Sequence, residues 1–309
     1  MRKSLILSFL LTAVVSLARA QQCTTSVTVN AFDAKSKAAI HGLTSRDFAA
    51  TVKQRALQVV SVAPVFRNRV LVLVQLDPEN TQALRAIADF VREAPPGMPV
   101  AFGVFAEHAV ITPDFIADTD LLSAAIDDVV SRSAHLGSHS DPEKSLHQAL
   151  TLFGEHRPGD TILLVSSRRT HLSKHQMQTL REEFRRRGAR LQLLTGQPPA
   201  MRIQGSPASQ IFSQWNMAES IDDQMIALAR STGGVLMGFM NSEWTDAATS
   251  GYLLSLSMPA SFRNPGSWRL MIRDAGNDVP PADLFYPDQL APCTLTQVAA
   301  VARKTKPRP

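Results

Sequence analysis

Hydrophobic and polar residues alternate with the period of a β-strand near both ends of the chain. Thr25–Val29 and Leu57–Val62 have the pattern of half-buried strands, and so do Tyr252–Met258 and Trp268–Arg273. Between the first two strands, Gly42–Phe48 is predicted to be a turn with a short helical start, and Thr44 is its predicted N-cap. The two ends of the chain are therefore predicted to be β-rich.

The middle of the chain has a different pattern, in which continuous aliphatic runs are separated by amphipathic segments. The run Val70–Leu76 has the composition of a strand that is buried on both faces of a parallel sheet. Further strands are predicted at Val100–Phe105, Ala109–Thr112, Thr161–Val165, Arg190–Leu194 and Val235–Met237. Helices are predicted at Asn80–Glu93, Asp120–Val130, Pro142–Phe153, Ser173–Arg187 and Ser220–Arg230.

Strands that alternate with helices in this way indicate repeated right-handed βαβ units. We therefore predict an α/β fold with a doubly wound, mostly parallel sheet flanked by helices, and a small β module formed by the two chain ends. An N-terminal β segment at 21–66 packs with a C-terminal β segment at 246–295, and the α/β domain at 67–245 lies between them. Residues 196–216 form a long excursion, and loops of this length are often functional.

Residues 1–20 have the pattern of a secretory signal peptide. Arg2 and Lys3 precede the apolar run Leu5–Leu17, and Ala18-Arg19-Ala20 provides the small residues of a cleavage site. The run is too short to span a bilayer comfortably, and no later segment is long and apolar enough to do so. We expect export to the periplasm or the exterior, with an uncleaved N-terminal anchor as the alternative.

The net charge of +5 comes from the two ends of the chain. The first 20 residues carry three basic side chains and the last seven carry four, and neither segment has an acidic residue. The remainder is close to neutral, so it lacks the broad positive field that nucleic-acid binding requires. We predict no nucleic-acid partner, and a basic disordered tail at 296–309.

The chain has two cysteines, Cys23 and Cys293, near its two ends. In an oxidising compartment such a pair is a disulfide candidate, and two separate buried thiols are the alternative. The bridge would close a loop of roughly 270 residues and could contribute up to about 5 kcal/mol by loop entropy. It would also hold the two ends of the exported chain together.

The middle of the chain resembles a von Willebrand factor type A domain, and the whole exported chain resembles the acidobacterial "VWFA-related domain" proteins. Four stretches carry this resemblance: Gly42–Phe48, Val70–Asp77, Leu228–Gly234 and Gly251–Leu256. The resemblance implies a sheet whose carboxyl-end loops bind protein ligands, which is an inference from the fold alone. In the type A family these loops also hold a divalent cation through an Asp-x-Ser-x-Ser motif, a Thr and an Asp.

The first metal loop of that family is only partly matched by this sequence. Asp77 is in place, but Pro78 follows it, and Glu79 and Thr81 stand where the family has two serines. A glutamate differs from serine in both reach and charge, so the geometry of a small octahedral site would change.

The second and third metal loops depart further. Ser138 or Ser140 replaces the Thr, and Ser167-Arg168-Arg169 stands where the family has Asp. A guanidinium cannot bind a cation, but next to Asp77 it could provide the counter-charge instead. We therefore expect a degenerate, metal-free site rather than bound Mg²⁺ or Mn²⁺, with Arg168 and Arg169 as candidate partner-binding residues.

Two other groups of residues are further candidate binding sites. His135, His139 and His147, like His171 and His175, have spacings seen in zinc sites, but solvent exposure is favoured for all five. A basic stretch is favoured as the solvated face of a helix, with binding to an anionic partner as the alternative. It comprises Arg168, Arg169, Lys174, Arg181, Arg185, Arg186, Arg187 and Arg190.

The sequence carries no nucleophile elbow, phosphate-binding glycine loop, dinucleotide motif or zinc-protease motif. We therefore predict a non-enzymatic protein-binding or adhesion protein without a cofactor. A structural or assembly component of the cell envelope is the first alternative, and an unrecognised hydrolase is the second. The pattern sets neither the identity of the partner nor the oligomeric state.

Overall fold

The computed structural model of the chain describes residues 22–36, 38–65, 68–76, 81–137, 139–154, 157–166, 171–195, 223–238, 251–259, 267–273 and 282–290. Its strands are β1 (Gln22–Asp33), β2 (Phe48–Val52), β3 (Arg55–Pro64), β4 (Val70–Gln75), β5 (Val100–Phe105), β6 (Ala109–Ile111), β7 (Thr161–Val165), β8 (Arg190–Thr195), β9 (Leu236–Gly238), β10 (Tyr252–Pro259), β11 (Trp268–Ile272) and β12 (Ala282–Phe285). Its helices are α1 (Thr81–Arg92), α2 (Thr119–Ser133), α3 (Pro142–Leu152), α4 (Lys174–Arg187) and α5 (Asp223–Ser231). The strands and helices predicted in the middle of the chain are confirmed, with small shifts at their ends.

One six-stranded sheet has the order β6-β5-β4-β7-β8-β9. Strand β6 is antiparallel to β5, and every other neighbouring pair is parallel. The chain enters this sheet at its centre with β4, adds β5 and β6 on one side, and then adds β7, β8 and β9 on the other side. The predicted mixed α/β class is therefore confirmed.

Helices cover both faces of this sheet. Val70, Val72 and Val74 of β4 belong to a core formed with α1 and α2. Leu71 and Leu73 of the same strand belong to a second core formed with α3, α4 and α5. Because successive side chains of a strand point to opposite faces, β4 is apolar on both faces and its sequence is almost continuously aliphatic.

Side-chain caps fix the ends of three helices. Asp118, Asp141 and Ser173 accept hydrogen bonds from backbone N–H groups in the first turns of α2, α3 and α4 respectively. Ser173 forms a capping box with Gln176, and α4 ends at Gly188, which has the left-handed φ of 71°. These caps set where the loops at the two edges of the sheet begin and end.

The other six-stranded sheet is antiparallel and has the order β11-β2-β3-β10-β1-β12. Strand β1 pairs with β10 from Gln22 opposite Pro259 to Val29 opposite Tyr252, and it pairs with β12 on its other side. The two ends of the described chain thus share one sheet. Our prediction of a small β module is wrong in size, because this sheet has as many strands as the parallel one.

The predicted helical start at Thr44 is wrong. The Asp47 carboxylate accepts hydrogen bonds from the Thr44 N–H at 2.6 Å and from the Thr44 hydroxyl at 2.8 Å, which forms a tight turn. These hydrogen bonds, the one from the backbone first, lower the pKa of Asp47. Strand β2 begins directly after this turn, and Phe48, Ala50 and Val52 enter the core of the antiparallel sheet.

Cys23 is fully buried in β1, opposite Met258 of β10. Cys293 lies outside the described residues, so the disulfide between them stays a prediction. The predicted signal peptide at 1–20, the excursion at 196–216 and the tail at 296–309 also lie outside the described residues. Among the helices that the structure does describe, none has the length and apolar character needed to cross a bilayer.

A buried charge cluster joins the two sheets at the amino edge of the parallel sheet. Asp160 is fully buried and accepts hydrogen bonds from the Arg69 side chain at 2.5 to 3.2 Å. Arg190 is 1% exposed, and it donates to Asn30 of β1 at 2.7 Å and to Thr161 at 3.0 Å. Burial lowers the pKa of Arg190 to about 10, although the nearby Asp160 carboxylate opposes this shift.

Arg190 is therefore not part of a solvated basic face, and its assignment to that stretch is wrong. The residue begins β8, which lies between β7 and β9, so its side chain starts inside the sheet rather than on α4. Sequence spacing alone placed it with the arginines that end α4.

Tyr252 holds strand β10 against the segment that precedes β2. Its hydroxyl donates to the Ile40 carbonyl at 2.6 Å and accepts from the Leu43 N–H at 3.2 Å. Burial, the largest effect, raises the pKa of Tyr252 above the ordinary value of 10.0. The folded protein therefore keeps this proton at a pH where the unfolded chain releases it.

This difference in pKa between the folded and unfolded states predicts how the effect of Tyr252→Phe on stability depends on pH. At neutral pH the free energy of unfolding of the variant should be lower by about 1–2 kcal/mol, because the buried hydrogen bonds of the hydroxyl are missing. Above about pH 10 the native protein loses the stability that depends on the protonated phenol, whereas the variant has no phenol to ionise at this position. The difference in free energy of unfolding between the two proteins should therefore narrow. Urea unfolding of both proteins from neutral to alkaline pH measures this difference, and a difference that stays constant or widens contradicts the prediction.

Candidate functional site

Three segments meet around Gln75 at the carboxyl edge of the parallel sheet. Gln75 is the last residue of β4 and is 3% exposed. Its side-chain amide donates to the Ser140 hydroxyl at 2.9 Å, and its carbonyl oxygen accepts from the Ser166 hydroxyl at 2.6 Å. Ser140 precedes α3 and Ser166 follows β7, so one neutral side chain links the ends of two strands and a loop.

Backbone hydrogen bonds hold the neighbouring loops at the same edge. The Leu76 N–H donates to the Phe105 carbonyl at 2.8 Å, which joins the ends of β4 and β5. The Asp141 N–H donates to the Ala106 carbonyl at 2.8 Å, and its carboxylate caps α3 through the Lys144 N–H at 3.0 Å. The loops that leave this edge therefore begin from fixed positions.

The position of Gln75 in the sheet is where open α/β sheets bind ligands. Strand β4 lies between β5 and β7, and the chain turns to one side after β4 and to the other side before β7. The crevice outside the carboxyl ends of the strands at such a switch point is the usual binding site. Gln75 ends β4 and Ser166 directly follows β7, the two strands that flank this point.

Most of the residues predicted from the resemblance lie outside the described residues. These are Asp77, Glu79, Ser138, Ser167, Arg168 and Arg169. Thr81 begins α1, but its side chain is also outside the described part. Ser140, the other candidate in the second loop, is described, and its hydroxyl accepts the hydrogen bond from Gln75.

The described residues at this edge do not fit a resident Mg²⁺ or Mn²⁺ ion. They offer the Gln75 amide and the Ser140 and Ser166 hydroxyls, and both hydroxyls already hydrogen-bond to that amide. Mg²⁺ and Mn²⁺ prefer carboxylate oxygens and water. Asp141 is committed to the cap of α3, and Glu107 is 53% exposed beside His108. In the described part of the chain, no three His, Cys, Asp or Glu side chains are grouped as metal ligands.

The histidines predicted to be exposed divide into two kinds. His135, His139, His171 and His175 are exposed. His147 is about one-third exposed, and its Nδ1 hydrogen-bonds to Glu183 of α4 rather than approaching the other histidines. It therefore connects α3 to α4.

Gln75 is the site residue that sequence reasoning missed. The available signal was its place as the one polar side chain in the run Val70–Leu76. A buried polar side chain requires hydrogen-bond partners, but the sequence does not show that these are Ser140 and Ser166, which lie 65 and 91 residues further along the chain.

No family model and no curated protein matches this sequence. Similar solved structures include the von Willebrand factor type A protein from Catenulispora acidiphila, with 10% identity over 89% of this chain and 74% of that chain, at a TM-score of 0.42. They also include BatB, a conserved hypothetical protein from Bacteroides thetaiotaomicron, with 14% identity over 59% of this chain and 94% of that chain, at a TM-score of 0.39. Proximal thread matrix protein 1 from the mussel byssus, with a zinc-occupied MIDAS motif, has 16% identity over 64% of this chain and 49% of that chain, at a TM-score of 0.39. These similarities assign no ligand or activity to this chain.

Proposed function

We propose that this chain is an exported, non-enzymatic binding protein of the von Willebrand factor type A kind, whose carboxyl-edge loops bind a protein partner without a metal ion. The observation that carries the proposal is the Gln75 network, which fixes three loop ends at the switch point of the sheet. Loops that a rigid scaffold positions in this way commonly form binding surfaces. Export through the signal at 1–20 is part of the same proposal.

The absence of catalysis is proposed from the chemistry of the two serines. A nucleophilic serine needs a general base within hydrogen-bonding distance of its hydroxyl. Ser166 donates its proton to the amide oxygen of Gln75, and Ser140 accepts from the amide nitrogen. An amide is not a base at neutral pH, so this pairing favours a structural role for both hydroxyls.

Metal independence is proposed from the donor groups. The side chains of Gln75, Ser140 and Ser166 are neutral and hydrogen-bonded within their own network, and the third loop carries Arg168 and Arg169 where the family has a cation ligand. A guanidinium near Asp77 would compete with a cation for the same carboxylate. Binding by a metal-independent surface should therefore survive removal of divalent cations.

Photo-crosslinking at the two ends of one strand tests where the partner binds. A photoreactive residue replaces Glu107, which is exposed just after β5, or Pro96, which is exposed in the turn before β5. In an extract of the source organism we expect the Glu107 position to give a discrete protein adduct and the Pro96 position to give none. The yield should be the same with EDTA and with Mg²⁺. Equal adducts at both positions, or an adduct that EDTA abolishes, contradict the proposal.

A Gln75→Leu substitution should weaken this binding. The variant leaves the buried Ser166 hydroxyl without its amide partner, which should cost about 1–3 kcal/mol of stability. The loop ends lose their common anchor, so the crosslink at position 107 should fall while the far-ultraviolet circular dichroism stays native. Gln148→Leu is the matched control, because Gln148 bonds only the edge strand at Ala109. Equal crosslinking by the two variants would show that the network does not organise the surface.

A further inference from the structure

A cleft lies between the two sheets at the amino edge of the parallel sheet, on the opposite side of the domain from Gln75. Its walls come from β1, from the end of α4, from the turn after α5 and from residues 287–289. The residues of this lining on which the site depends are Thr28, Pro158, Arg181, Arg190, Pro287 and Asp288. This junction cleft was not visible in the sequence, because its walls are far apart in the chain.

The lining of the junction cleft is predominantly basic. Arg181, Arg185 and Arg190 contribute guanidinium groups, and Asp288 is the one acidic residue of the lining. Arg181 pairs with Asp288, and Arg185 pairs with Glu182 outside the lining at 2.6 Å. Arg190 is buried, and burial lowers its pKa to about 10, although the Asp160 carboxylate opposes this shift. An anion in the cleft would supply negative charge where burial makes it most effective.

A buried hydroxyl provides a second, independent sign of a ligand. Thr28 is 4% exposed and lines the cleft, and its Oγ1 has no hydrogen-bond partner in the described structure. Buried hydroxyl groups are almost always satisfied, so this donor calls for an acceptor. Pro158 and Pro287, both half-buried, add apolar surface to the same lining.

We infer that the junction cleft is a binding site for a small carboxylate with a short aliphatic body. The Arg181 guanidinium and the Thr28 hydroxyl donate to the carboxylate, and Pro158 and Pro287 pack against the aliphatic part. Arginine suits this role because its planar fork matches a carboxylate. Because the walls come from both sheets, the bound ligand also stabilises the junction between them.

Titration of the full-length chain with sodium butyrate, followed by ¹H–¹⁵N NMR at constant ionic strength, tests this inference. We expect saturable shifts of the Gly188, Ala189 and Thr232 amides and a higher unfolding temperature. Arg181→Gln should weaken binding by about tenfold or more, as the loss of one charge-assisted hydrogen bond implies. Thr28→Val, which keeps the side-chain shape, should weaken it to a smaller extent.

Arg132→Gln is the control, because Arg132 is half-exposed on α2 and pairs only with Asp128. It should leave the butyrate affinity unchanged. Shifts that do not saturate, or that chloride reproduces, overturn the site. Tighter binding of inorganic phosphate than of butyrate overturns the assignment to a carboxylate. Since the cleft and the Gln75 network lie at opposite edges of the sheet, either result leaves the proposed partner surface untouched.

Discussion

Replacement of Asp160 by asparagine is expected to destabilise the protein by about 3–5 kcal/mol, one of the two largest losses predicted for any single substitution in the described chain. The Asp160 carboxylate accepts three hydrogen bonds from the Arg69 side chain, and its charge acts on the buried Arg190. A neutral amide in its place would remove the ion-pair partner of Arg69 and the negative charge that favours the charged form of Arg190. Urea unfolding measures the loss.

Arg190→Met should cost less than Asp160→Asn, although it removes a fully buried charge. The Asp160–Arg69 ion pair remains intact, and methionine keeps the apolar part of the side chain. The main cost is the lost donor to Asn30, about 1–3 kcal/mol. Asp127→Asn is the control for charge alone, because Asp127 is 71% exposed and its pairing with Arg92 should contribute less than about 1 kcal/mol. If Arg190→Met lowers the free energy of unfolding as much as Asp160→Asn does, Asp160 is not the residue on which the stability of this charge cluster depends.

Gly234→Ala is expected to cost more than about 4 kcal/mol or to prevent folding. A β-carbon at this position would lie 1.8 Å from the Leu191 carbonyl oxygen and 2.6 Å from its carbonyl carbon. Both atoms belong to the backbone of β8, so no side-chain rotation can relieve the overlap, and the turn between α5 and β9 would have to move.

Gly137→Ala is the matched control for this prediction. Its β-carbon would meet nothing closer than Glu107 at 3.9 Å, so the change should stay within about 0.5 kcal/mol. Expression level, thermal unfolding and urea unfolding of the two variants measure the difference. A Gly234→Ala protein as stable as Gly137→Ala would show that the turn is not held where the structure places it.

The parts of the fold that were predictable are those with a strong local pattern. Val70–Gln75 is aliphatic because both of its faces are buried, and this pattern predicts a central strand without any knowledge of its neighbours. The strands β2 and β12 were missed because neither sequence, FAATV or ADLF, has a strong alternating or continuous apolar pattern. Their pairing with distant strands, rather than their own sequence, makes them strands.

The candidate site was less predictable, because its contacts join residues far apart in the chain. Arg190 follows the arginines of α4 closely in the sequence, and only the start of β8 places it in the core. The close approach of Gly234 to the Leu191 backbone likewise depends on tertiary packing. The match of Asp77 to the family's first metal loop pointed to the carboxyl edge of the sheet as the site. In the described structure the hydrogen bonds at that edge converge on Gln75 instead.

Titration of the chain with Mn²⁺, followed by electron paramagnetic resonance, tests metal independence most directly. Free hexa-aquo Mn²⁺ gives a six-line signal that bound ions lose. We expect the free signal to equal the total Mn²⁺ at every step, for the native chain and for Asp77→Ala alike. Loss of one equivalent of signal in the native chain, restored by Asp77→Ala, would contradict it.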